Sequence, residues 1–251
     1  MLDDKSEKAI AQVTAEARTL FGADLVSLVL YGSAAGQDFV SGRSDLNVAI
    51  VLERLTFAHL KALHGHLPRW HTLGVATPLL LDRPFVRAGR DVFPTEFQDI
   101  KAQHRVLWGE DVFATLVVDS RHLRYQCEHE ARSKLLRLRA LYAEVGADRP
   151  RLESLMLASV KTFLIIMRNF IRLHGGQDHT RYSAVLDQFE QRFAVSFPVM
   201  RQLLRVKLGA EPWTSDIDET FRAYLGEVEQ LIELLDRVLP ETRTTPPRGA
   251  T

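Results

Sequence analysis

Apolar positions recur with two different periods along the chain, and the change of period divides it. Residues 5–21 carry Ile10, Val13, Ala17 and Leu20 at helical spacing, and Gly22-Ala23-Asp24 interrupts them. Leu25–Tyr31 (LVSLVLY) is a short, nearly continuous apolar run that stops at Gly32, which predicts a buried strand. A stretch rich in Gly and Ser follows (GSAAGQDFVSGRS), and then a second strand-length run, DLNVAIVL. A helix is expected over 56–66 and a third strand over 75–81 (VATPLLL), with Pro78 placing that strand at an edge or bending it. Pro94 opens another expected helix, PTEFQDIKAQHRV. The order helix, strand, loop, strand, helix, strand, helix describes a small mixed α/β domain.

Beyond Asp119 the period is helical throughout. Leu123, Cys127, Ala131, Leu135, Leu138 and Tyr142 mark one helix over 120–144, and Gly146-Ala147-Asp148 ends it. Pro150 opens a second helix, 151–174, which Gly175-Gly176 closes. Further helices are expected over 181–193, 197–208 and 216–238, the last with Ser215 and Asp218 in a capping pattern. The expected class is α+β: a mixed-sheet domain over 1–118, an all-α bundle over 119–239, and a disordered tail over 240–251 (ETRTTPPRGAT), which has no core-forming pattern.

Composition narrows the function without naming it. The 32 basic and 32 acidic side chains cancel, so no overall field draws the chain to nucleic acid. Cys127 is the only cysteine, which excludes an intrachain disulfide, and its helical setting argues for an inert thiol. The polar N-terminus has no secretory pattern, and the best apolar run, LMLASVKTFLIIM, is broken by Lys161 and is shorter than the ~20 residues that span a bilayer. The expectation is a cytoplasmic protein with no membrane partner. His59, His64, His66 and His71 lack the cysteine or carboxylate neighbours of a zinc site.

Chemistry concentrates in residues 28–52. A strand ending at Tyr31 runs into Gly32-Ser33, where a tight turn exposes backbone N–H groups to phosphate oxygens and Ser33 adds a hydroxyl. The chain returns as a strand from Asp45. Side chains alternate along a strand, so Asp45 and Asn47 share one face while Leu46, Val48 and Ile50 pack inward on the other. Two hard oxygen ligands beside a phosphate loop suit a Mg²⁺-bound nucleotide. This segment resembles the minimal pattern of the DNA polymerase β superfamily of nucleotidyltransferases: a strand, Gly-Ser, a spacer, then Asp-x-Asp or Asp-x-Glu on a strand, commonly preceded by Ser. The matching positions are Gly32, Ser33, Ser44, Asp45 and Asn47. The resemblance is strongest over 25–52 and extends more weakly over the first 115 residues. It implies transfer of a nucleoside monophosphate from an NTP to a hydroxyl-bearing acceptor. Gly32, Ser33 and Ser44 would hold the nucleotide, and Asp45 with Asn47 would hold Mg²⁺. In relatives of the aminoglycoside type a helical bundle follows and supplies acceptor contacts.

Two departures weaken the pattern. The second carboxylate is replaced by Asn47, whose amide oxygen can ligate a cation but brings no charge. The third acid of the family belongs on the next strand, where only Asp82, at its end, is acidic; Asp91 and Glu96 are later candidates. Each also has an ordinary reading, as a strand-end turn, a loop acid and a first-turn helix acid. A binding protein on the same fold, without turnover, is therefore an alternative. A second alternative lies in the helical half. Arg168, Asn169 and His174 fit the Arg-x5-His form of HEPN-domain ribonucleases, which implies a homodimer with Arg168 and His174 acting across it. A helix-end role for His174 before Gly175-Gly176 competes with that reading. Lys134, Arg137 and Arg139 form a basic stretch, read either as a solvated face or as a reach toward a triphosphate.

Overall fold

A computed structural model describes residues 2–36, 39–42, 44–146, 148–176, 181–213 and 216–238. Helix α1 (Asp4–Phe21) is capped by Asp3, whose carboxylate accepts from the Ser6 N–H at 2.8 Å. Strand β1 (Leu25–Tyr31) follows, then β2 (Asn47–Leu52), α2 (Phe57–His64), α3 (Leu67–Thr72), β3 (Leu79–Asp82), α4 (Arg83–Ala88), α5 (Pro94–Ala102) and β4 (His104–Gly109). The remaining elements are helical: α6 (Ser120–Val145), α7 (Arg149–Leu173), α8 (Tyr182–Phe193), α9 (Pro198–Lys207) and α10 (Ile217–Val238). The fold is α+β, a small mixed sheet with a helical C-terminal part. The expected tail and the capping residue Ser215 lie outside the described residues.

The four strands form one sheet in the order β3-β2-β1-β4. β1 is antiparallel to both neighbours, and β2 is parallel to β3. β1 and β2 are buried on both faces, which is why they read as continuous apolar runs. Leu28, Leu30, Leu46, Val48, Ile50 and Leu52 pack with Ile10, Val13 and Ala17 of α1, Leu63 of α2 and Trp70 of α3. Val26, Val29, Ala49 and Val51 pack on the opposite face with Val86 of α4, Phe97 and Ile100 of α5, Phe113 and Leu116. The apolar alternation expected for Leu46, Val48 and Ile50 holds, but the other face is a second core.

Several details differ from the sequence expectation: the second strand begins at Asn47 and not at Asp45, and two short helices, α3 and α4, were not expected. The helix from Pro94 ends at Ala102 and the chain turns at Gln103, so HRVLWG is strand β4 and no helical extension. Its side chains are only partly buried and carry little apolar signal, and pairing with β1 decides its conformation. The third strand shortens to Leu79–Asp82, with Val75 making an isolated bridge to Leu46 on the far side of Pro78.

Contacts group the chain into two units, 1–126 with 167–196, and 127–166 with 197–251. In the first unit, Phe170, Phe189 and Phe193 form an aromatic cluster. In the second, the buried Tyr224 hydroxyl lies 2.8 Å from Ser159 Oγ and its ring meets Phe163 edge-on. Glu227 accepts from the Val199 and Met200 N–H groups at 2.7 and 2.8 Å, so α10 caps the start of α9. By length and composition α7 is able to cross a membrane, but 61% of its most apolar window is buried within the protein, as in a core helix.

One polar cluster braces α1 against α3. Glu16 accepts from Trp70 Nε1 at 2.8 Å and from Gln12 at 3.0 Å, and it faces His66 at 3.4 Å and Arg69 at 3.1 Å. Burial alone raises its pKa, but the hydrogen bonds from Trp70, Gln12 and His66 and the charge of Arg69 together hold it below the ordinary 4.5. A carboxyl with a depressed folded-state pKa stabilises the protein above its unfolded value, and that contribution disappears as pH falls through the folded value. Glu16→Gln should therefore cost about 1–3 kcal/mol near neutral pH and much less in acid, because wild type loses the same contribution there. Urea unfolding of both proteins at pH 7 and at pH 3 checks this; a cost independent of pH would show that Glu16 does not act through its charge.

Candidate functional site

The β1–β2 ladder places the site. Tyr31, the last residue of β1, is opposite Asn47 on one side and His104 on the other. The chain leaves Tyr31 through Gly32, whose φ of 73° is a conformation that side chains disfavour. Gly32–Ala35 forms a single 3₁₀ turn, closed by Gly36 N–H donating to the Ser33 carbonyl at 3.1 Å. A Cβ on Gly32 would sit 3.3 Å from Asn47 Nδ2, so the glycine lets the Asn47 amide lie against the turn. Burial pushes the Tyr31 hydroxyl above the ordinary phenol range, which keeps it a neutral donor.

The returning segment is held before it enters the sheet. Ser44 N–H donates to the Val40 carbonyl at 2.8 Å, and Ser44 Oγ accepts from Val40 N–H at 3.1 Å. Leu46 is the first paired residue: its N–H donates to the Gly74 carbonyl at 2.9 Å, and its carbonyl accepts from Ala76 N–H at 3.1 Å. Asp45 stands just outside the ladder and is exposed. Among the described residues neither the Asp45 carboxylate nor the Ser33 hydroxyl has a protein partner. Gly32, Ser33 and Asn47 are thus gathered at one end of the sheet, with Asp45 two residues before Asn47 and outside the ladder.

The candidate extra acids have other attachments. Asp82 pairs in register with Leu52, at the far end of β2 from Asn47. Its two oxygens accept from Phe85 N–H at 2.9 Å and Leu55 N–H at 3.2 Å, which makes it the cap of α4. Asp91 lies in an exposed turn. Glu96 accepts from Gln126 Nε2 at 3.0 Å. On the chain entering β3, Thr77 is engaged with His71 at 3.2 Å. No group of three or more His, Cys, Asp or Glu able to hold a metal occurs among the described residues.

Arg168, Asn169 and His174 have separate partners. Arg168 and Arg172 converge on Asp99 at 2.5 and 2.6 Å, and both guanidinium side chains are less than a tenth exposed. Asn169 accepts from Arg172 at 2.7 Å. His174 Nδ1 is 2.8 Å from the Phe170 carbonyl, and its ring packs on Phe170 and Phe193. The i, i+4 spacing of Arg168 and Arg172 marks a shared helix face, but nothing local announces Asp99 as their common partner.

A residue that the motif does not include is Gln103. A Cβ on Gly36 would meet Gln103 Nε2 at 1.3 Å, so the amide lies directly against the end of the Gly32–Ala35 turn. That Nε2 is buried and has no hydrogen-bond partner among the described residues. No spacing or motif in the sequence marks a glutamine between a helix and a strand for this position.

No family model matches this chain, and no curated protein does. Among solved structures, the spectinomycin adenyltransferase AAD(9) from Enterococcus faecialis, solved with ATP and spectinomycin, is similar over 91% of this chain and 98% of its own, with a TM-score of 0.57 at 10% identity. At that identity the likeness shows the fold.

Gly36→Ala should displace the Gln103 amide and disturb the turn. If the turn holds a triphosphate, Mg-ATP affinity should fall about ten-fold, with recovery in Gly36→Ala/Gln103→Ala, where the obstruction is gone. Calorimetric titration of the three proteins checks this; equal losses in single and double variants would remove Gln103 from the account. With the turn after β1, the strand that returns beside it and the matching solved structure in view, the chain has the fold of that adenyltransferase.

Proposed function

We propose that the chain transfers a nucleoside monophosphate from a nucleoside triphosphate to a hydroxyl-bearing small molecule. The observation that carries this reading is a turn at Gly32-Ser33 beside Asn47 at the end of the β1–β2 ladder, with the exposed carboxylate of Asp45, unpartnered among the described residues, two residues before it. The turn suits phosphate oxygens: a tight turn at a strand end can present backbone N–H groups, and Ser33 adds a hydroxyl. Ser44 fixes the loop through its contacts with Val40 and leaves its hydroxyl proton free to donate. The neighbour's ATP and spectinomycin support a nucleotide donor and a small polyhydroxylated acceptor, with ATP the first donor to test.

The donor set fits Mg²⁺ in a limited way. Mg²⁺ keeps several waters and is bound through one or two carboxylates plus substrate phosphates. Asp45 supplies one charged oxygen, and Asn47, half-buried against Gly32, supplies a neutral one. Bound there with the triphosphate, the ion would neutralise charge on the transferring phosphoryl group. The chain's own residues hold the phosphates at Gly32 and Ser33 and orient the α-phosphorus beside Asp45. With one carboxylate where the family pattern has two, metal affinity and turnover are both reduced. A second reading, a nucleotide-binding protein on this fold that turns over little, is favoured by Asp82 being committed to capping α4.

Titration calorimetry with Mg-ATP and Mg-GTP, followed by transfer from α-labelled nucleotide, tests the proposal. Binding should require Mg²⁺ and weaken at least about ten-fold in Asp45→Ala, since a directly ligating charge is lost. Asn47→Asp should tighten Mg²⁺ binding and raise turnover by about ten-fold or more. Absence of binding to either nucleotide would sink the nucleotide claim, and transfer that survives Asp45→Ala would sink the assigned site. Binding without transfer, in wild type and in Asn47→Asp, would establish the second reading.

A further inference from the structure

The basic residues of α6 divide by side. Arg132 reaches Asp236 at 2.5 Å and Arg139 reaches Glu229 at 2.7 Å, both acids of α10. Lys134 and Arg137, between them in sequence, have no ion-pair or hydrogen-bond partner among the described residues. Both line a groove between α6 and α7 of about 770 Å³, made wholly of residues of the second unit. That volume is within the roughly 300–1,000 Å³ of small-molecule sites.

The sequence explains the groove. Ser154, Ala158 and Thr162 recur every fourth residue of α7 and so share one face, where their small side chains leave room. Leu138, Leu141 and Leu155 supply an apolar floor. The hydroxyls of Ser154 and Thr162 have no partner among the described residues. Arg151 and Glu144 also line the groove, so three cations face one acid. Arg151 makes only a loose contact with Asp148, at 3.9 Å. Two like charges three residues apart on a helix disfavour each other. Left unpaired over an apolar floor, they form a site complementary to an anion with an apolar body.

We propose that this groove binds a small amphiphilic carboxylate, with its charge between Lys134 and Arg137 and its apolar portion along Leu138, Leu141 and Leu155. This site shares no residue with the phosphate turn, and it stands independently of the nucleotide reading.

The test is calorimetric titration of the full chain at low ionic strength with decanoate and with decyltrimethylammonium, two ligands of equal chain length and opposite charge. One decanoate should bind saturably and the cation should not. Lys134→Gln/Arg137→Gln should raise the decanoate Kd about ten-fold or more, as expected for losing charge-assisted hydrogen bonds. The melting temperature should stay within about 2 °C, because both side chains lack structural partners. Ala158→Phe, which fills the groove, should abolish uptake. Mg-ATP titrations of the same variants should be unchanged, which separates failure here from failure of the nucleotide reading. The proposal is overturned by absence of saturable decanoate binding, by equal affinity for the cation, or by a Kd that the double variant does not move. Sedimentation showing a dimer that Ala158→Phe dissociates would overturn it as well, by assigning the groove to a second copy of the chain.

Discussion

The register of β1 against β2 is the constraint on which the site depends. Tyr31 opposite Asn47 sets the Gly32–Ala35 turn beside the start of β2. Because side chains alternate, a slip of one residue would turn Asn47 away from Gly32 and exchange the two sets of core residues. Both cores resist that slip. Leu46, Val48 and Ile50 are committed to α1, α2 and α3, while Ala49 and Val51 are committed to α4 and α5. The sizes differ in the same sense, since small Ala49 lies on the face opposite the bulky Ile50. Burial at roughly 25 cal/mol per Å² on both faces makes the correct register far cheaper than any neighbour. The close approach at Gly32 adds a steric condition, since a Cβ there would press on the Asn47 amide.

The same arrangement decides how much was legible in the sequence. Elements buried on a full face announced themselves: β1 and β2 as apolar runs, α1 and α6 to α10 through helical periodicity. The turn after β1 was legible because its signal is local, a Gly followed by Ser at a strand end. β4 was not legible, since HRVLWG takes its conformation from pairing with β1 and is only partly covered. Asp99 beneath Arg168 and Arg172, and Gln103 against Gly36, were illegible for a related reason. Each is a contact between distant segments, and nothing in the spacing of either segment encodes the other.

Asp82 shows how topology settles a question that composition leaves open. A carboxylate at the end of the strand after β2 is a natural candidate for the missing acid of the pattern. Parallel pairing carries β3 in the same direction as β2, however, so the end of β3 falls beside Leu52, at the end of the sheet remote from Asn47. There the carboxylate meets two backbone donors, Phe85 N–H and Leu55 N–H, and ties β3 to α4. Its place beside Leu52, at the opposite end of β2 from Asn47, keeps it from sharing a cation with Asn47.

The remaining chemistry therefore rests on charge count. A single carboxylate beside an N–H-lined turn can anchor a cation that arrives with a triphosphate, because the phosphates bring most of the ligand charge themselves. It is less able to hold a cation in the absence of nucleotide. Nucleotide and metal would then bind as one unit, each raising the affinity for the other, and by linkage the coupling is equal in both directions. The site differs in this from a two-carboxylate arrangement, which can be loaded with metal beforehand. On the proposed reading, Asn47 would accordingly change the order in which the site fills as well as its strength, and that distinction follows from the donor set alone.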